Sequence, residues 1–154
     1  MPAVGRVAPN FKALTDADEM LELKSLRGKP VVLFFYPKDD TATCTVEACS
    51  FRDELPRFDD LDAVVLGISP DSPKSHRKFK TKFDLPYTLI ADDDHAIAER
   101  YGVWGEKSLY GRTYMGVLRT TFVIDAKGRV AKIFDKVKAA GHAAEVAEVV
   151  SAMK

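Results

Sequence analysis

Residues 31–53 read V-V-L-F-F-Y-P-K-D-D-T-A-T-C-T-V-E-A-C-S-F-R-D and combine an apolar run, a polar turn and a helical pattern. Its start, residues 31–36, is an uninterrupted apolar run that is typical of a strand buried on both faces. Pro37 ends that strand, and the polar residues after it are typical of a turn. From Cys44 onward the pattern is helical. The stretch therefore predicts a buried strand that leads through a turn into a helix.

Both cysteines of the chain, Cys44 and Cys49, lie in this predicted helix. Cys44 stands where the strand passes into the helix N-terminus, among backbone N–H groups without intrahelical partners and at the positive end of the helix dipole. Both features favour the thiolate over the thiol, because each stabilises negative charge. We therefore predict that Cys44 carries an activated sulfur.

The spacing of the two cysteines bears on whether they can bond. The apolar side chains of the helix form one face, which consists of Cys44, Ala48, Phe51, Leu55 and Phe58. Cys49 follows Cys44 by five residues, and in an α-helix this puts the two Cα atoms roughly 8.7 Å apart. A disulfide needs a Cα separation of about 4.4–6.8 Å. If the helix is intact when the cysteines are reduced, its first turns must unwind before the sulfurs can bond.

Length and composition limit the class of protein. The chain has 154 residues, of which 46% are hydrophobic and 30% charged, as expected for one soluble globular domain. Lys plus Arg and Asp plus Glu number 23 each, so no net charge attracts nucleic acid or an anionic membrane. No apolar run is long enough to span a membrane, and the N-terminal M-P-A-V-G-R lacks a signal-peptide core. We therefore expect a cytoplasmic protein.

In the cytoplasm, two cysteines are more often catalytic or metal-binding than structural. A metal site that uses two sulfurs needs two further ligands. The three histidines, His76, His95 and His142, show no ligand-like spacing. We therefore predict catalytic cysteines and no metal site.

The remaining strands are predicted from apolar runs bounded by turn residues. They are 11–14, 22–26, 63–69, 87–91, 119–125 and 130–135. The last two flank A-K-G-R, a sequence typical of a hairpin turn. Residues 1–10 are predicted as an extended arm, and residues 103–118 as a long functional loop.

Three further helices are predicted. One begins at Ser72-Pro73, one follows three aspartates at 92–94 and ends near Tyr101, and one occupies 141–153. Pro56 is expected to kink or end the cysteine helix near Leu55. Strands that alternate with helices, then a hairpin and a final helix, predict an α/β fold. This is a central mixed β-sheet flanked by helices, as in thioredoxin-like domains, with extra strands at the N-terminus.

Two charged clusters each allow two interpretations. The helix that begins at Ser72 carries five basic residues, namely Lys74, Arg77, Lys78, Lys80 and Lys82. They form either a solvated face, which is the simpler explanation, or a docking surface for an acidic partner. The aspartates at 92–94 either cap the helix that follows, which is favoured, or bind a cation.

The spacing Pro37-x-x-x-Thr41-x-x-Cys44, after the strand V-V-L-F-F-Y, resembles the active-site signature of peroxiredoxins. With the second cysteine inside C-T-V-E-A-C-S-F-R-D, it is similar to the bacterioferritin-comigratory-protein (PrxQ) subfamily. The resemblance continues through A-P-N-F (8–11), Y-G-V-W (101–104), Y-M-G-V (114–117) and R-T-T-F-V-I-D (119–125). It implies a thioredoxin fold with insertions. It also implies reduction of hydrogen peroxide and organic hydroperoxides without a cofactor, with thioredoxin as the reductant.

The resemblance also implies roles for individual residues. Cys44 would be the peroxidatic cysteine, and Cys49 the resolving cysteine that forms a disulfide with it. Thr41 and Arg119 would bind the peroxide and polarise its O–O bond. Glu47 matches a family glutamate that helps to position the arginine.

The stretch between the proline and the cysteine has one departure from the family pattern. Pro37 would shield the reactive sulfur from water, as the family proline does. The subfamily usually has Pro-Gly after the threonine, whereas this chain has Ala42-Thr43. The wider family varies at these positions and keeps Thr-x-x-Cys. We therefore expect the change to affect loop stiffness and unwinding around Cys44 rather than activity.

Simpler interpretations stay open for the same residues. Cys44 could be an inert core thiol, Cys49 a small apolar filler, Arg119 a surface charge and Thr41 a turn residue or helix cap. Two other functions also stay open: a thioredoxin-like disulfide reductase, although these normally use Cys-x-x-Cys, and a non-enzymatic redox sensor. Since no cysteine follows Cys49, no intersubunit disulfide to a C-terminal cysteine can form, and we expect a monomer.

Overall fold

The computed structural model describes residues 1–153. In chain order, the elements of this range are β1 (Lys12–Leu14), β2 (Met20–Glu22), a 3-10 helix (Leu23–Leu26), β3 (Val31–Phe35), α1 (Ala42–Asp60), β4 (Val64–Ser69), α2 (Pro73–Phe83), β5 (Thr88–Ala91), α3 (Ala96–Arg100), β6 (Trp104–Leu109), β7 (Arg112–Val117), β8 (Thr120–Ile124), β9 (Val130–Phe134) and α4 (His142–Ala152). No helix in the described range combines the length and the apolar character that crossing a bilayer requires.

The central sheet has five strands in the order β5-β4-β3-β8-β9. Strands β3, β4 and β5 are parallel, and β8 and β9 run antiparallel to their neighbours. Every residue of β3 is buried because both faces of the sheet are covered. Val32 and Phe34 pack with α1 and α4, whereas Leu33 and Phe35 pack with α3 and the N-terminal segment. The predicted α/β sheet flanked by helices is confirmed.

Two predictions of local structure are wrong. The strand predicted at 22–26 ends at Glu22, the last residue of β2, and residues 23–26 form a 3-10 helix. There the side chain of Asn10 accepts a 2.9 Å hydrogen bond from Lys24 N, and the Ser25 hydroxyl donates to Glu22 O at 2.6 Å. Residues 103–118 are not a loop: β6 and β7 pair as an antiparallel hairpin. Tyr110 and Gly111 close it with φ values of 51° and 77°, as a two-residue turn of type I′ requires.

Pro56 was expected to kink or end α1 near Leu55, and the expectation of an end there is wrong. The helix continues to Asp60 with Pro56 inside it. Proline removes the N–H that would bond to the carbonyl of Arg52. The fully buried ring of Phe58 lies one half-turn further on, and its packing in the core offsets that loss.

The helix starts follow the predicted capping chemistry. Ser72 accepts a 3.1 Å hydrogen bond from Ser75 N at the start of α2. The carboxylate of Asp92 accepts hydrogen bonds from Ile97 N and Ala98 N, both at 2.9 Å, so this aspartate caps α3. Burial raises the pKa of Asp92, and the two backbone hydrogen bonds oppose that rise.

The basic face of α2 is largely neutralised within the chain. Three of its cations form salt bridges at 2.7–2.8 Å with aspartates of other segments: Arg77 with Asp18, Lys80 with Asp16, and Lys82 with Asp40. The solvated-face interpretation is therefore favoured over a docking surface.

Candidate active site

The sheet register brings a distant arginine next to the cysteine helix. Strands β3 and β8 are antiparallel neighbours, with Phe35 opposite Thr120. Arg119 immediately precedes Thr120, so it lies beside the end of β3, where the chain turns toward α1. Burial of both strands holds this register, because a slip of one residue would turn every side chain to the other face.

The guanidinium of Arg119 bridges two side chains of α1. Its Nη2 lies 3.2 Å from Cys44 Sγ, and its Nη1 donates to Glu47 Oε1 at 2.7 Å. Cys44 and Glu47 are three residues apart and therefore share a face of the helix. Cys44 is 1% exposed and Glu47 fully buried. The sulfur is thus held in a nearly dry site beside a permanent positive charge.

The electrostatics of the ion pair are set by burial. Burial raises the pKa of Glu47 from 4.5 to about 7, and the charge of Arg119 and its hydrogen bond only partly oppose this. One carboxylate oxygen, Oε2, has no hydrogen-bond partner among residues 1–153. Burial alone would lower the pKa of Arg119, but Glu47 and Cys44 outweigh it, so that this pKa is raised. Arg119 therefore stays cationic, whereas Glu47 titrates close to neutrality.

The start of α1 leaves backbone donors beside the sulfur. Thr41 occupies the N-cap position with extended backbone angles (φ −88°, ψ 156°) but forms no side-chain cap in the described structure. Its hydroxyl instead donates to Lys38 O at 3.1 Å. The hydroxyl oxygen consequently keeps lone pairs that can accept a hydrogen bond. The first N–H groups of a helix have no intrahelical partner and favour an anion.

Asp39 anchors the loop that joins β3 to α1. Its Oδ1 accepts a hydrogen bond from the Tyr36 hydroxyl at 2.6 Å, and its Oδ2 lies 2.8 Å from both Ser75 Oγ and His76 Nδ1. Its backbone N–H donates to Asp71 Oδ2 at 2.8 Å. Three of these bonds fix the loop that carries Thr41 to the start of α2 and to Asp71 just before it, and the bond from Tyr36 holds the loop to the end of β3.

His76 is fully buried and engaged on both sides of its ring. Nδ1 faces Asp39, and Nε2 lies 2.9 Å from Ile90 O. Asp39, Asp71 and His76 bring three potential metal-binding atoms within 4.8 Å of one another. Protein hydrogen bonds already engage these atoms, and we assign the cluster a structural role.

Cys49 lies on the intact helix, away from the Arg119 contact. It is partly exposed, and both cysteines are free thiols. Helix α1 is continuous from Ala42 to Asp60, so ideal helix geometry again puts the two cysteine Cα atoms roughly 8.7 Å apart. A disulfide therefore requires a change in backbone conformation.

The structure brings together some of the predicted site residues. Cys44, Glu47 and Arg119 are in contact. Thr41 and the half-buried Pro37 lie on the loop before them, whereas Cys49 is one and a half turns along the helix.

Sequence reasoning missed three residues near the site. Asp39 was overlooked and His76 was considered only as a metal ligand, because each looks like an ordinary polar residue in its own segment. Lys107 was overlooked because its strand, β6, was predicted as part of a loop. Its Nζ donates a hydrogen bond to Val117 O at 3.0 Å. Burial, together with the charge of Arg119, lowers the pKa of Lys107, and the charge of Cys44 acts in the opposite sense. The sequence feature that could have drawn attention to this region is the family pattern Y-M-G-V at 114–117.

Known proteins of one family are similar to this chain in sequence and in fold. Residues 4–133 match the AhpC/TSA family. A putative peroxiredoxin bcp of Coxiella burnetii is 51% identical over 143 residues, which are 93% of this chain and 95% of that protein. Peroxiredoxin Bcp of Bacillus subtilis is 46% identical over 150 residues, 97% of this chain and 96% of that protein. The solved structure of Xanthomonas campestris bacterioferritin comigratory protein, studied for its alkyl peroxide reduction activity, is 36% identical. It has a TM-score of 0.89, with 93% of this chain and 91% of that chain covered.

Proposed function

We propose roles for individual residues on the premise that this chain belongs to the AhpC/TSA family and is a peroxiredoxin, a thiol peroxidase. The resemblance to the bacterioferritin-comigratory-protein subfamily and the thioredoxin-like fold are thereby confirmed. Its substrate is a peroxide, and its electrons come from a thiol reductant. The proposal is that Cys44 is peroxidatic and Cys49 resolving. The observation that carries it is the contact of the Arg119 guanidinium with Cys44 Sγ.

In the first step, the Cys44 thiolate attacks the terminal oxygen of the hydroperoxide. An S–O bond forms, the O–O bond breaks, and the departing oxygen takes the electron pair and then a proton from solvent to leave as an alcohol or water. Arg119 and the first N–H groups of α1 face the developing charge, where fixed donors have their largest effect. The Thr41 oxygen, whose proton is used by Lys38 O, accepts a hydrogen bond from the hydroperoxide. Glu47 holds Arg119 in place, and Pro37 limits access of water.

In the second step, the first turns of α1 unwind and the Cys49 thiolate attacks the sulfur of the Cys44 sulfenic acid. An S–S bond forms, the S–O bond breaks, and the departing hydroxide takes a proton from solvent to leave as water. A dithiol protein, which we take to be thioredoxin, then reduces the disulfide by exchange. When unwinding is slow relative to a second encounter with peroxide, Cys44 is oxidised to sulfinic acid instead.

The same proposal includes the range of substrates, the domain organisation, the oligomeric state and the cellular location. The Xanthomonas campestris protein is described as reducing alkyl peroxides, so we include organic hydroperoxides with hydrogen peroxide as substrates. We take residues 1–154 as one peroxiredoxin domain that acts as a cytoplasmic monomer. Thiol chemistry alone balances both steps without a cofactor.

The test is thioredoxin-coupled peroxide consumption by the wild type, Cys44→Ser and Cys49→Ser. We expect Cys44→Ser to abolish even one turnover. Cys49→Ser should retain one stoichiometric oxidation and fail to cycle. Equal loss of the single turnover in both variants would contradict the assigned roles.

Two further outcomes would favour the alternatives. A disulfide reductase would turn over disulfides without consuming peroxide. A redox sensor would oxidise once and would not cycle with thioredoxin.

A further inference from the structure

The hydroxyl of Tyr87 makes a short bond to the helix at the resolving cysteine. It donates to the backbone carbonyl of Ala48 at 2.6 Å, and Ala48 immediately precedes Cys49. Tyr87 is 5% exposed and comes just before β5. The bond therefore ties the segment that leads into the sheet to the part of α1 that must move during resolution.

The bond is additional to those that form the helix. In an α-helix, the carbonyl of residue 48 already accepts from the N–H of residue 52. Removal of the phenol hydroxyl therefore leaves the Ala48 carbonyl satisfied while the helix is intact. When the helix unwinds around Cys49, however, the wild-type hydroxyl loses its acceptor in a buried position. A buried donor without a partner is costly, so the hydroxyl penalises the unwound state.

The surroundings of Tyr87 keep its hydroxyl from following the helix. Its ring packs edge-to-face on Phe34, with centroids 5.7 Å apart and an interplanar angle of 73°. Phe34 belongs to the buried strand β3. Burial, with a smaller effect of the Cys49 charge, raises the pKa of Tyr87 well above 10, so the group stays a hydrogen-bond donor at every physiological pH.

We propose that Tyr87 is a positioning residue of the resolving step, which holds Cys49 in the helix and slows its attack on the Cys44 sulfenic acid. This inference rests on the proposed roles of the two cysteines. By slowing this attack, Tyr87 affects the competition between two reactions of the Cys44 sulfenic acid. Attack by the Cys49 thiol releases water and forms the disulfide, whereas a second hydroperoxide transfers oxygen, releases an alcohol or water and forms the sulfinic acid.

The experiment compares Tyr87→Phe with the wild type in rapid-quench oxidation read by mass spectrometry. We expect the disulfide to form about five-fold faster in the variant, which corresponds to about 1 kcal/mol. The peroxide concentration that gives half-maximal sulfinic acid should rise about five-fold. The rate of Cys44 oxidation should not change, because within residues 1–153 the Tyr87 hydroxyl bonds to the Ala48 carbonyl and not to Cys44, Thr41 or Arg119.

Tyr101→Phe is the matched control. The Tyr101 hydroxyl also donates to a backbone carbonyl at 2.6 Å, that of Pro9, but on the other face of the sheet. Loss of this bond should leave the disulfide rate unchanged. An equal acceleration in both variants would overturn the inference, because it would show a general loss of stability.

Amide hydrogen exchange of the reduced protein gives a second measurement. In Tyr87→Phe, exchange should accelerate about five-fold at residues 45–50 and stay unchanged at residues 53–60. Uniform acceleration along α1, or none, would overturn the inference. Failure of the proposed function looks different: the wild type itself would then form no Cys44–Cys49 disulfide.

Discussion

The two halves of α1 belong to one continuous helix but are held by different contacts. In the first half, residues 42–50, the buried side chains are Cys44, Glu47 and Ala48, which are small or polar. In the second half, residues 51–60, the buried side chains are the large aromatic rings of Phe51 and Phe58. The reactive half thus buries far less apolar surface than the half that follows it.

The second half is anchored to the centre of the sheet. Phe51 stacks on Phe34 with ring centroids 4.5 Å apart, and it packs against Phe58 at 6.0 Å and edge-on to His142 at 5.7 Å. Arg52 adds a hydrogen bond of 2.8 Å to Phe83 O at the end of α2. These contacts connect β3, α2 and α4 to this part of the helix.

The difference explains how a helix can open at one end only. Stabilisation by burial scales with the apolar area removed from water, so opening the first turns costs much less than opening the rest. Local opening of a weakly packed segment while the core stays folded is a general property of proteins. The segment that must unwind to bring Cys49 to Cys44 is therefore the one with the weakest packing.

The largest expected effect tests the anchored half. Phe51→Ala should lower the free energy of unfolding by about 3–5 kcal/mol, since it removes a fully buried ring and leaves a cavity. Urea denaturation measures this. Val46→Ala, at a 49% exposed position in the first half, is the control and should change stability by less than about 0.5 kcal/mol. Similar losses in the two variants would remove the contrast between the halves.

The next effect tests the chemistry of the first half. Arg119→Gln should slow oxidation of Cys44 by roughly 10²- to 10³-fold, because it removes a fixed donor facing the developing charge. The rate of sulfenic acid formation in stopped flow measures it. Arg129→Gln, which removes a guanidinium bonded to Gly5 O, should leave the rate unchanged. A loss below ten-fold for Arg119→Gln would show that the helix N-terminus alone activates the sulfur.

Glu47 gives the first half a pH-dependent stability. Its folded pKa of about 7 lies above its ordinary value of 4.5, so the folded state binds the proton more tightly than the unfolded state. Wild-type stability should therefore fall as the pH rises from about 4.5 to 7. Glu47→Gln has no carboxyl at this position and should not show this fall. Between pH 4.5 and 7, its free energy of unfolding should therefore rise by about 3 kcal/mol relative to that of the wild type.

Urea denaturation of both proteins across this pH range is the measurement for Glu47. A difference that stays constant from pH 4.5 to 8 would mean that the carboxylate is already ionised throughout. In that case Arg119, rather than burial, would dominate its environment.

The smallest expected effect concerns the outer face of the second half. Arg57 forms a 2.7 Å salt bridge with Glu148 of α4, but the two side chains are 38% and 74% exposed. Arg57→Gln should change the free energy of unfolding by less than about 0.5 kcal/mol, because exposed ion pairs contribute little. Urea denaturation at low and high salt measures it. A loss above about 1 kcal/mol would mean that surface charge, and not aromatic packing, anchors this half.

The sequence alone determined the local elements that carry the site. The buried strand, the turn and the cysteine helix follow from an apolar run, a proline and a 4-3-4-3 apolar spacing, all of which are local signals. Because these signals are local, they also led to two wrong predictions. The hairpin at 103–118 is closed by Tyr110-Gly111 rather than a familiar Asn-Gly turn, and the continuation of α1 past Pro56 depends on core packing of Phe58.

Which distant side chains meet depends on the tertiary structure, and the sequence pointed to Arg119 only through the family resemblance. Arg119 touches Cys44 across 75 residues of chain because β8 lies in register with β3. Asp39 meets His76 across 37 residues, and Tyr87 meets the Ala48 carbonyl across 39. Periodicity and turn chemistry report on neighbours along the chain. Contacts between distant residues depend instead on sheet order, register and helix packing, and no local pattern in this sequence encodes these.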